Sequence, residues 1–389
     1  MKVAFVSARL DCNDGVASHI ELLATELVRH GVELTMVTGL ITGETVAADR
    51  YATLRRNLAP WHKVSDDRLR LSVPVVRGLA RVLRGGGFDV VHSHGLGLLP
   101  AIRAALLSVA PPIVATYHPS AHGNAEGDFN LGLSPKKRLA YRAFLEVTRP
   151  DKVIALSMDT VTLLSGQCGL SPGRIAQVVA GIDTAHFRPP TSFERAACRA
   201  KLGLDPDMLV CVLPGRLNLN KGHDIAIAAM QRLGAAYPDR VFRCLFPGSG
   251  AQEVEIRGMV AASADPSVFL MPGFVPQMRE MYWASDIVIL PSRSEGFALV
   301  VAEAMACGCA AIRTPSGGCT DQIVEGVTGF VIGFNDPVAL AERLATFLNA
   351  DRLHAVQAAA LAHAHSHFSG RRMGEETREL YEQLAGNVC

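Results

Sequence analysis

The chain has no uncharged apolar run of about 18 residues, so nothing in it reads as a membrane-spanning helix. Its start, Met1-Lys2-Val3-Ala4-Phe5-Val6, reads directly as a strand, without the apolar core and cleavage site of a signal peptide. A cytoplasmic location is therefore expected. Charge of one sign is also lacking: 38 Lys and Arg against 37 Asp and Glu leave a net charge of +1, too little for a chain that coats nucleic acid. No CxxC pair occurs among the nine cysteines, and several stand inside apolar segments (Cys211, Cys244, Cys307, Cys309), which reads as reduced core thiols rather than zinc or redox chemistry. No metal ligand set is assigned; His363, His365 and His367, alternating with small residues, read as the end of a surface helix. The first strand-to-helix turn, Asp11 to Ser18, lacks G-x-G-x-x-G, and Gly248-Ser249-Gly250 lacks the third glycine, which argues against a nicotinamide dehydrogenase.

What the chain does have is alternation. Short β-branched runs are separated by longer helical patterns, the signature of βαβ units around buried parallel sheets. Strands are expected at 3–7, 33–38, 90–93, 113–117, 153–156 and 176–179, and again at 209–213, 242–246, 269–271, 287–290, 310–313 and 329–332. With 389 residues, two cores are expected. The series restarts after Arg188-Pro189-Pro190, so the domains are drawn as 1–187 and 188–370, with a final amphipathic helix (371–389) packing back on the first. The segment 43–71, with Arg50, Arg55, Arg56, Lys63, Arg68 and Arg70, is the poorest in pattern and is expected to be mobile or to face an acceptor.

In open α/β sheets a ligand sits beyond the carboxyl ends of the strands, where helix N-termini present N–H groups to anions. Four sequences fall there. Pro214-Gly215-Arg216-Leu217-Asn218-Leu219-Asn220-Lys221-Gly222 follows an apolar strand, and its two cations can flank a diphosphate, although a solvated basic turn has the same composition. Pro291 to Phe297 leads into the helix Ala298 to Cys307, in which Glu303 is the only charge. A carboxylate there must be paired or hydrogen-bonded, by a ligand or by a buried arginine. Glu295 approaches from the preceding loop. Asn13 to His19 places Gly15 in the first strand-to-helix turn, and Thr116-Tyr117-His118-Pro119 ends the fourth strand; each is weak alone.

Together these residues resemble the retaining glycosyltransferases of family 4 (glycosyl transferases group 1). The resemblance rests on Gly15-Val16 with His19, His92-Ser93-His94, His118, Gly181-Ile182-Asp183 with Phe187 and Pro189, Gly215-Arg216 with Lys221-Gly222, Gly273-Phe274-Val275, and Glu295 to Glu303, an E-x7-E motif followed by Gly317-Gly318, Gly326 and Gly329. It implies a GT-B fold, two Rossmann-like domains facing each other across a cleft, the first binding the acceptor and the second a nucleotide diphosphate sugar. UDP and GDP are the expected nucleotides. Position by position it implies that Glu303 binds the donor ribose, Glu295 meets the sugar, Arg216 and Lys221 bind the diphosphate, and His118 lies beside the sugar ring. Backbone N–H groups from Phe297, Ala298 and Leu299 would support the phosphates, Gly15 would approach them, and Val275 would lie near the base. Paired cations at the leaving diphosphate would take the place of a metal, so the reaction is expected to be metal-independent or only metal-stimulated. Ala298 stands where the family usually has glycine, and Asp14 where a first glycine is common; both leave the sugar open.

A nucleotide-sugar epimerase or hydrolase, and a non-catalytic sugar-nucleotide sensor, share the same diphosphate logic. Lys136, Lys137, Arg138 and Arg142, on a helix with Leu139, Tyr141, Phe144 and Leu145, fit either a peripheral contact with an acidic membrane surface or a core stripe with a solvated face. No nucleic-acid partner is expected; the acceptor is a hydroxyl of a glycan, a lipid or a small metabolite, and neither which of these it is nor the oligomeric state is legible.

Overall fold

The computed structural model describes residues 1–12, 15–43, 48–106, 111–118 and 134–386. Asn13, Asp14 and Pro119 lie outside the described residues, as do 44–47, 107–110, 120–133 and 387–389.

The chain divides into two compact units. The first comprises the described residues through Gly181 together with the C-terminal segment from Gly370; the second runs from Ile182 to Ser369. The first unit holds strands β1 (Lys2–Asp11), β2 (Glu33–Thr42), β3 (Trp61–Lys63), β4 (Val90–His94), β5 (Ile113–Tyr117), β6 (Lys152–Ala155) and β7 (Ile175–Gln177) in the order β3-β2-β1-β4-β5-β6-β7. The second holds β8 (Leu209–Val212), β9 (Phe242–Pro247), β10 (Phe269–Gly273), β11 (Ile287–Leu290), β12 (Ala310–Arg313) and β13 (Gly329–Val331) in the order β10-β9-β8-β11-β12-β13. Every pairing is parallel. Val210, Cys211, Val212, Ile287, Val288, Ile289 and Leu290 are wholly buried, because helices cover both faces of a parallel sheet; hence the unbroken apolar runs.

Each expected strand is present. The addition is β3, three residues at the sheet edge, too short to show a period. It lies in the segment 43–71, whose described part also forms the helix Ala48–Asn57, held to the first helix by Arg50 through Glu21 (2.9 Å). The arginines that blurred the pattern thus partly serve as local ties. The first unit passes to the second between Gly181 and Ile182. Arg188 and its neighbours belong to the second unit, where Arg188 forks Glu194 (2.6 and 2.9 Å) and its carbonyl accepts from the Trp283 indole (2.7 Å).

In the first unit the helix Gly15–Arg29 buries Ala17, Ile20, Leu23, Ala24 and Leu27, a spacing that gives one apolar face. The C-terminal helix, Gly370–Gly386, returns to lie on it. Gly374 makes this close approach possible, since a Cβ there would stand 2.5 Å from the Glu26 Cβ. At the other end Tyr381, wholly buried, hydrogen-bonds His92 of β4 (2.5 Å).

Candidate active site

All the strands of the second sheet run the same way, so the loops after β8, β10, β11 and β12 emerge at one edge. Arg216, Lys221, Val275, Glu295, Phe297, Ala298 and Leu299 are therefore brought together by topology rather than by sequence. Gly222 closes the first loop with φ +78°, and a Cβ there would lie 2.3 Å from the Pro291 carbonyl oxygen; glycine lets the β8 and β11 loops touch.

Several links then join those two loops, the Arg293 guanidinium donating to the Leu219 carbonyl among them. Lys221 Nζ donates to Glu295 Oε1 (2.7 Å). Arg293 forks Asp224 (2.7 and 3.1 Å), its backbone N–H donates to the Asn220 carbonyl (2.8 Å), and the Asn220 amide donates to the Ser294 carbonyl (3.4 Å). Glu295 is only 7% exposed, so its partner is required: an unpaired carboxylate at that burial is costly. Arg216 is exposed on the same loop.

The loop then enters the helix Leu299–Ala306, with Phe297 buried and Ala298 left-handed (φ +49°, ψ +63°). The structure thus explains the glycine usual at that place. The first N–H groups of this helix have no partner within it, which makes the end a local anion receptor. Glu303, half-buried on the helix, accepts from the Tyr282 hydroxyl (2.9 Å). The lone charge in an apolar helix is thus met by a phenol, whose own ionisation is pushed well up by burial and by Glu303 beside it.

Behind these groups stands Arg313, fully buried at the end of β12. Its guanidinium donates to the carbonyls of Ser316 and Gly317 (both 2.9 Å) and to Gln322, while the Gln322 amide donates to the carbonyls of Phe297 (2.7 Å) and Ala298 (3.2 Å). Arg313 thereby holds the double-glycine turn and, through Gln322, the start of the helix. Sequence reasoning missed Arg313, Arg293 and Tyr282. Arg313 was findable, as the only charge in an apolar strand, by the argument that found Glu303.

His223, wholly buried beside Lys221, donates from Nδ1 to the Asn218 carbonyl (3.2 Å), and burial lowers its pKa to about 4. Val275 is half-buried in the loop after β10. Asp205-Pro206-Asp207 precedes β8 at the opposite edge, where Arg199 donates to the carbonyls of Asp205 (3.1 Å) and Pro206 (2.7 Å); it is a turn.

In the first unit Gly15 begins its helix and His118 follows β5. His118 does not stand alone: its ring lies 5.1 Å from that of His19 and 5.9 Å from that of His94. Burial lowers all three pKa values, His19 to about 4 and His94 and His118 well below the ordinary range, so the rings are neutral at physiological pH.

Comparison with known proteins bears on both units. A family profile described as "Glycosyltransferase Family 4" matches residues 13–186, and one described as "Glycosyl transferases group 1" matches 194–363. The D-inositol 3-phosphate glycosyltransferase of Acidothermus cellulolyticus is 30% identical over 378 residues, covering 91% of this chain and 82% of the relative. That of Rhodococcus jostii is 29% identical over 397 residues, covering 96% and 85%. Among solved structures, Anabaena HepE in complex with UDP superposes with a TM-score of 0.80 at 18% identity over 98% and 100% of the two chains. A glycosyltransferase of Rickettsia africae gives 0.79 at 19% identity over 99% of each. The architecture is that of the GT-B enzymes. The chain belongs to the family 4, group 1 glycosyltransferases, which retain anomeric configuration, and it is a transferase enzyme.

Proposed function

We propose that the chain transfers a sugar from a UDP-sugar to a hydroxyl of a small polyol, with D-inositol 3-phosphate the first acceptor to test. One observation carries the donor half: two cations and two carboxylates gather at the carboxyl edge of the second sheet, beside the N-terminus of the helix Leu299–Ala306, which no side chain caps. The UDP complex of HepE supports the nucleotide, and the D-inositol 3-phosphate glycosyltransferase relatives support the acceptor.

In this reading Glu303 accepts the ribose hydroxyls, with Tyr282 fixing its carboxylate, and Val275 lies near the base. Arg216 and Lys221 bind the diphosphate together with the N–H groups of Phe297, Ala298 and Leu299. As the glycosidic bond breaks, negative charge grows on the leaving diphosphate and positive charge on the sugar; the cations and the helix end are pre-aimed at the first. Glu295 serves the sugar, and its pairing with Lys221 couples the two tasks. The acceptor hydroxyl attacks from the face the diphosphate leaves, and the departing phosphate oxygen takes its proton, so configuration is retained. His118 and Gly15 are assigned to sugar and phosphate through the resemblance, and acceptor binding is assigned to the first unit. No metal is needed for this electrostatic work.

A screen of UDP- and GDP-sugars, with and without D-inositol 3-phosphate, tests the proposal. Transfer from a UDP-sugar only when acceptor is added supports it. Sugar release that acceptor does not alter marks a hydrolase, an epimerised donor marks an epimerase, and nucleotide binding without turnover marks a sensor.

One observation bears on where the protein works. Among the described residues no helix is long and apolar enough to cross a membrane. On the helix Pro135–Thr148, however, Leu139 is 70% exposed in the turn that carries Lys136, Lys137 and Arg138, and Val147 is 81% exposed at the other end. Basic side chains around exposed aliphatic ones suit peripheral attachment to an anionic bilayer. Cosedimentation with anionic vesicles, lost on Leu139→Glu, is the expected result.

A further inference from the structure

His19, His94 and His118 each present one ring nitrogen such that the three atoms lie within 4.8 Å of one another. They converge from three elements of the first unit: the helix Gly15–Arg29, the last residue of β4, and the residue after β5. Both ring nitrogens of His19 and of His94, and Nε2 of His118, are buried without a hydrogen-bond partner among the described residues. The contrast with His92 is instructive. That ring, packed 4.3 Å from His94, gives one nitrogen to Tyr381 and the other to Thr116 (2.7 Å).

Buried polar groups are paired in folded proteins, and five orphan nitrogens in one place point to a polar ligand. Among the described residues the cluster holds no Lys or Arg, which disfavours an anion. His19 and His94 are only 4% and 5% exposed, too enclosed for a polyol to reach both. A small cation that accepts lone pairs fits both conditions.

We propose that His19, His94 and His118 form a binding site for one divalent first-row transition ion of the zinc class. Neutral imidazole is a preferred ligand for such ions. Nitrogens bonded to a tetrahedral zinc at about 2.0–2.1 Å stand about 3.4 Å apart, so the three rings need only turn inward by modest amounts. Three imidazoles leave a fourth position open. No carboxylate supports the outer nitrogens of His19 and His94 among the described residues, so binding is weaker and more exchangeable than in a site with such support. The cation and carboxylate residues of the donor assignment all belong to the second unit, so the metal site shares with that assignment only His118, and His19 and His94 test it separately.

The test uses the full chain, stripped with chelator and titrated with Co2+ alone. One equivalent with the visible absorption of four-coordinate cobalt, displaced by Zn2+, is expected. His19→Gln and His94→Gln should each weaken binding about tenfold or more. The double variant His363→Gln/His367→Gln should not change it, although those two rings also stack (4.2 Å). X-ray absorption at the zinc edge of the unmutated protein should show three imidazole nitrogens, which decides the matter even if a variant fails to fold. Absence of binding at micromolar metal, binding indifferent to His19→Gln and His94→Gln, loss only in the His363/His367 variant, or a spectrum with fewer than three imidazoles overturns the proposal.

Discussion

Lys221 and Glu295, 74 residues apart in sequence, form an ion pair of 2.7 Å at the carboxyl edge of the second sheet. Each group is thus both a proposed donor ligand and the partner that makes the other's burial tolerable. Lys221→Ala should lower turnover about 100-fold and, by stranding Glu295, cost on the order of 2 kcal/mol of stability. The double variant Lys221→Met/Glu295→Gln should regain much of that stability and none of the activity. Arg216→Ala, at an exposed position, should lose turnover similarly while shifting stability by less than about 0.5 kcal/mol. Denaturant titration beside steady-state kinetics separates these outcomes. Near-normal turnover in both single variants would falsify the donor-site assignment.

Glu303 and Tyr282 give a second prediction. Glu303→Gln should weaken UDP binding about tenfold, or 1.4 kcal/mol. Tyr282→Phe, which leaves the carboxylate but removes its donor, should weaken it less. Titration calorimetry with the nucleotide alone reads both. An effect of Tyr282→Phe as large as that of Glu303→Gln would mean that the tyrosine touches the nucleotide itself.

Ala298 adopts a left-handed backbone that costs an L-residue about 1 kcal/mol. Ala298→Gly should therefore stabilise the protein by up to about 1 kcal/mol, offset in part by the greater freedom of glycine in the unfolded chain. Thermal unfolding checks this. A loss of stability would mean that the alanine methyl makes contacts that outweigh the strain.

His223 makes stability depend on pH. Its folded pKa, about 4, lies below the ordinary 6.5, so the unfolded chain binds more protons between those values. Its neutral, buried state is therefore without penalty above about pH 6.5, and stability falls as pH drops from there towards 4, by up to about 3 kcal/mol. His223→Gln, which keeps a donor for the Asn218 carbonyl, should show a shallower fall. Equal slopes for both proteins would remove His223 from the account.

Much of the fold was legible because strands buried on both faces must be apolar throughout, and the helices between them must each carry one apolar stripe. Strand β3 was not, since three residues at an edge show no period. Proline at 189 and 190 looks like a linker in sequence, but the Arg188 carbonyl answers Trp283, 95 positions away.

The sequence by itself determined the parallel α/β alternation, the position of the cation and carboxylate loops after their strands, and the necessity of a partner for Glu303. These follow from local pattern and from the cost of burying charge. Only the tertiary structure decided which partners meet: Lys221 with Glu295, Glu303 with Tyr282, Arg313 with the double-glycine turn, and His19 with His94 and His118. Parallel strands carry their loops to one edge whatever their order along the chain, so those pairings depend on sheet order and helix return, which no local spacing encodes.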